Sequence, residues 1–145
     1  LELIVLGAVV DHDSLALARH LESLVATVWK EGYLSEEDFY ALGTTCDLLM
    51  SPLTPGLGYG VDHGTGSFGD AVALRKYLII PDWADPSREF DEFCVYYSSP
   101  SSLNLVLGSI LDQRRAFRVP PTSLARFQAD HVRTSLLPLL HNAPR

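Results

Sequence analysis

Apolar strand-like runs alternate with amphipathic helix-like runs along this chain, which predicts an α/β, Rossmann-like three-layer domain with a parallel sheet of about five strands. Three observations carry that expectation. Runs such as Leu3–Leu6 and Leu78–Ile80 are continuously apolar, as suits strands covered on both faces. Between them, apolar residues recur at helical spacing. A glycine-rich segment follows the third strand, where ligands sit in open parallel sheets.

The elements follow in order. Leu1–Val10 reads as the first strand, with Gly7 near its end. Asp11 or Asp13 can cap a helix on which Leu15, Ala18, Leu21, Leu24 and Val25 share one side. Thr27–Trp29 is a short second strand, broken by Gly32. Ser35-Glu36-Glu37-Asp38 resembles a capping box with Asp in place of Glu, and it opens a short helix to about Gly43. Asp47–Met50 is the third strand, ended by Ser51-Pro52. After the glycine loop, a helix over about Ser67–Arg75 leads to a fourth strand, Leu78–Ile80, stopped by Pro81. Asp82–Phe93 is a polar loop with room for one short helix, and Cys94–Tyr97 is a fifth strand. Pro100 and Ser101 start a helix carrying Leu103, Val106, Leu107, Ile110 and Leu111. Pro120-Pro121 precedes a last helix over about Thr122–Leu140.

At 145 residues the chain has the length of one domain with a single core. Its net charge of −7, with no basic cluster beyond two adjacent residues, argues against a nucleic-acid partner. No apolar run reaches the roughly 18 residues of a membrane span, and the start lacks a secretory signal pattern. Cys46 and Cys94 stand singly in apolar runs, which suits buried free thiols in a reducing, cytoplasmic compartment; a disulfide between them stays open. No metal-ligand spacing occurs. The chain opens on Leu1 directly before a strand, so a piece of a longer protein is expected.

The most informative stretch is Gly56–Asp70, with six glycines in fifteen positions between a strand and a helix. A glycine-rich turn opening a helix aims unpaired N–H groups outward, and the helix dipole favours an anion there. Gly64-Thr65-Gly66-Ser67-Phe68-Gly69 fits G-x-G-x-x-G. A dinucleotide motif, however, comes directly off its strand, and about a dozen residues intervene here after Met50. Glu89, at the spacing of a ribose acid, lies in a polar loop. No P-loop pattern exists, because Gly69 is followed by Asp70 and Ala71. Asp62 and Asp70, eight positions apart, bracket the segment, and carboxylates accept paired hydroxyl hydrogen bonds from sugars. Each acid also has a plain role open to it, Asp62 in a turn and Asp70 in a first helical turn. His63 can equally be a solvated loop residue.

Val28–Ile80 resembles the donor-binding half of the two-Rossmann-domain (GT-B) glycosyltransferases, in particular those like family 4. The likeness rests on Trp29–Glu37, on the strand Asp47–Met50 ending in Ser51-Pro52, and on two acids eight apart followed by Ala71-Val72-Ala73 and Leu78-Ile79-Ile80-Pro81. It implies that Asp62 contacts the donor sugar and Asp70 the ribose, while Gly64, Thr65, Gly66 and Ser67 line the diphosphate; His63, beside them, is a further candidate for contact with phosphate or sugar. Pro81-Asp82-Trp83-Ala84-Asp85 is similar to a Pro-x-x-Ala-Asp stretch of plant-type sugar transferases, which implies a sugar contact for Asp85. Both bracketing acids are Asp where the family has Glu, and Arg75-Lys76-Tyr77 stands where it has Gly-x-Pro. The resemblance implies a glycosyltransferase using a nucleotide-diphosphate sugar, with no metal or other cofactor. It also implies a preceding strand–helix unit with a basic pair and an N-terminal acceptor domain, both outside this chain, so that the chain alone binds donor without turnover. A nucleotide-sugar epimerase on the same fold and a non-catalytic nucleotide-binding partner domain are the alternatives. Peripheral association with a membrane stays open.

Overall fold

The computed structural model describes residues 2–6, 15–16, 19–20, 22–23, 25–30, 32, 34–53, 55, 65–113 and 127. The chain divides into two compact units, Leu1–Leu42 and Gly43–Arg145.

The first unit holds strands β1 (Glu2–Leu6) and β2 (Ala26–Lys30), paired in parallel from Glu2 opposite Ala26 to Leu6 opposite Lys30. Residues 15–16, 19–20 and 22–23 are helical, within the span expected of the crossover helix. Helix α1 (Glu36–Thr45) begins in this unit. Ser35 caps it: its Oγ accepts the Asp38 amide at 3.1 Å and donates its own proton to the Asp38 carboxylate at 2.6 Å. Asp is a methylene shorter than Glu, and its carboxylate meets the Ser35 hydroxyl where a box Glu would reach the capping residue's amide.

The second unit is a parallel sheet ordered β3–β4–β5, with β3 at Leu48–Met50, β4 at Tyr77–Pro81 and β5 at Cys94–Tyr97. Central β4 is buried on both faces: Leu78, Ile79 and Ile80 are at most 1% exposed. Helix α2 (Ser67–Leu74) crosses from β3 to β4 and packs on β4, with its buried Ala71 in one core cluster with Leu78 and Ile80. Its end is closed by Arg75 in the left-handed region (φ 54°), with the Lys76 amide donating to the Ala71 carbonyl at 3.0 Å. This Schellman-like closure builds the turn before β4 from a non-glycine residue. From β4 to β5 the crossover is a single 3-10 turn, Asp82–Ala84, and further turns rather than a full helix. Helix α3 (Pro100–Gln113) follows β5 and packs on it. Its first turn is capped by Ser99, whose Oγ accepts the Ser102 amide at 3.1 Å, with Pro100 at the first helical position.

All five expected strands form, but in one two-stranded and one three-stranded sheet rather than a single sheet. Apolar runs reveal strands without revealing which strands share a ladder. The first pair is also only half-covered, with Leu6 at 41% and Val28 at 38% exposure, unlike the buried central β4. The expected last helix, 122–140, lies outside the described residues apart from Phe127.

Candidate functional site

The carboxyl end of β3 and the start of α2 meet through hydroxyl groups. The Ser51 amide donates to the Ile79 carbonyl at 2.9 Å, fixing Ser51 just beyond β3 against β4. Ser67 Oγ donates to Ser51 Oγ at 2.9 Å, and Thr65 Oγ1 donates to Ser67 Oγ at 3.0 Å. The Ser67 amide closes the relay by donating to Thr65 Oγ1 at 3.3 Å. Thr65 and Ser67, both expected at the site, are therefore brought together and tied to the strand. Ser51 was not among the expected site residues. Its position directly after a strand, before Pro52, was the available signal. Among the described residues its own hydroxyl proton has no acceptor.

Gly66 is the capping residue of α2, with φ −57° and ψ −23°, and contributes no side-chain cap. That conformation is open to every residue, and a Cβ on Gly66 or Gly69 would meet nothing within 4 Å. The fold itself therefore does not require glycine at either position. Their effect is to leave the entrance of α2 bare. The Asp70 amide is bonded to the Gly66 carbonyl at 3.0 Å. The amides of Phe68 and Gly69 precede the first intrahelical bond and have no acceptor among the described residues.

Asp70 stands in this first turn, half-buried, with no hydrogen-bond partner for its carboxylate among the described residues. Burial raises its pKa above the ordinary carboxylate value. Asp62, His63 and Gly64 lie outside the described residues.

Asp85 is placed differently from the expected sugar contact. Its residue is only 3% exposed, and its carboxylate is engaged by the protein. Oδ1 accepts the Glu89 amide at 3.1 Å and the Ser87 hydroxyl at 3.4 Å; Oδ2 accepts the Phe90 amide at 3.1 Å and the Tyr96 hydroxyl. Four donors fill the lone-pair directions of a carboxylate. Burial alone would raise the Asp85 pKa, but the Tyr96 hydroxyl and the Phe90, Glu89 and Ser87 donors outweigh it and hold the acid below its usual value. Asp85 thus locks the 85–90 turn onto β5, and no oxygen is left to read a sugar. On the other side of the bond, burial and the Asp85 hydrogen bond push the Tyr96 phenol above its usual range. Neighbouring Cys94, buried, is pushed up to about 12. Cys46 is half-buried, and neither cysteine is in a disulfide.

The locked turn touches the glycine-bounded helix. Phe90, at the end of the turn, stacks on Phe68 in the first turn of α2. Arg88, within the turn, lays its guanidinium over the Tyr96 ring at 3.8 Å. Among the described residues no group of three or more His, Cys, Asp and Glu side chains could hold a metal ion, and no helix is long and apolar enough to cross a membrane. The chain matches no family of known proteins, and no curated protein or solved structure is significantly similar to it.

Proposed function

We propose that this chain is the donor-binding domain of a glycosyltransferase, holding the diphosphate of a nucleotide sugar at the entrance of α2. The bare first turn of α2 carries the reading: two glycines that the fold does not require leave unpaired amides beside a strand-end hydroxyl. Glycine in such a place serves close approach of a ligand to the backbone. In glycosyl transfer the bond from the anomeric carbon to the diphosphate breaks, and negative charge grows on the leaving phosphate. Fixed amides and the dipole of α2 would stabilise that charge without reorganising. Asp70, unpartnered in the same turn, would accept the ribose hydroxyls. By the resemblance, Asp62 would take the sugar hydroxyls, with Gly64 beside the diphosphate; His63 is a candidate for contact with phosphate or sugar. Asp85 is not part of this reading.

Calorimetric titration of the chain with UDP, GDP, ADP and NAD tests it. Binding of one nucleoside diphosphate, weakened at least tenfold in Asp70→Ala, supports a donor site. Preference for NAD would replace the reading with a dinucleotide site, and absence of binding to all four ligands would leave it without support.

A further inference from the structure

We draw no further inference here: the strongest candidate, the apolar face of α3 on which Leu105 and Leu111 stand exposed, is an unpartnered helix face, and nothing in the structure shows what covers it.

Discussion

Phe68 and Phe90 stack with ring centroids 4.2 Å apart and planes 20° from parallel. The contact joins the first turn of α2 to the turn locked by Asp85. Phe90 also meets Phe93 at 5.7 Å and Phe127 at 5.6 Å, so it is the centre of an aromatic group that supports the entrance of α2. Phe90→Ala is expected to cost about 3 kcal/mol, read by urea unfolding, from lost burial and lost ring pairing. Phe90→Leu should cost less than half as much. A cost near zero for Phe90→Ala would mean that the turn is not anchored through this ring.

The Asp85–Tyr96 bond should be a coupled pair. Tyr96→Phe keeps the ring under Arg88 but removes a hydrogen bond to a charge, worth about 2 kcal/mol. Asp85→Ala leaves the Glu89 and Phe90 amides and the Tyr96 hydroxyl unpaired, and should cost about 3 kcal/mol. The double variant should cost less than the sum by about 1 to 2 kcal/mol, since each single change already breaks the shared bond. Strict additivity would show that the bond contributes nothing.

The same pair sets a pH dependence with two arms. The Asp85 acid is held below its ordinary 3.8, so the folded chain binds fewer protons there than the unfolded chain. Its contribution is fully present above 3.8 and is lost as pH falls through the lower folded value. Asp70, raised by burial, works in the opposite direction in the acid range: it favours the folded state below 3.8 and loses that contribution as pH rises. Asp85→Asn should therefore flatten or reverse the acid-side loss of stability in urea midpoints. On the alkaline side Tyr96 is raised above 10.0 and Cys94 from 9.0 to about 12. Both contributions are full below pH 9 and are lost as pH rises, and the Tyr96→Phe variant should lose less stability than wild type above pH 10. Equal alkaline slopes for the two proteins would refute this assignment.

Arg75 closes α2 with a positive φ and is exposed, so its side chain contributes little to offset the backbone strain. Arg75→Gly should stabilise the chain by about 0.5 to 1 kcal/mol, measured as a higher urea midpoint at unchanged slope. Destabilisation would show that the αL closure is not what that position serves.

Gly69 separates stability from binding. It is helical, and a Cβ there would enter open space, so Gly69→Ala should stabilise α2 by roughly 0.5 to 1 kcal/mol. If a diphosphate lies on the bare first turn, the same methyl should weaken nucleoside diphosphate binding by about tenfold, near 1.4 kcal/mol. A more stable variant with undiminished affinity would move the ligand away from this turn.

Local chemistry was legible in the sequence. The apolar runs placed β4 to within a residue at each end and β5 to the residue, the Ser35–Asp38 spacing placed the cap of α1, and Ser67 was expected to open α2. Those features depend on period and on capping geometry within a few residues, so a linear reading captures them. Tertiary structure decided the rest. It put the five strands in two sheets, joined Ser51 to Ser67 across 16 positions, and gave Asp85 to Tyr96 eleven positions away on the next strand. A carboxylate in a Pro-x-x-Ala-Asp stretch has the same lone pairs whether a ligand or its own chain fills them. Only the path of the chain supplies the donors, and here it supplied four, which made Asp85 a lock.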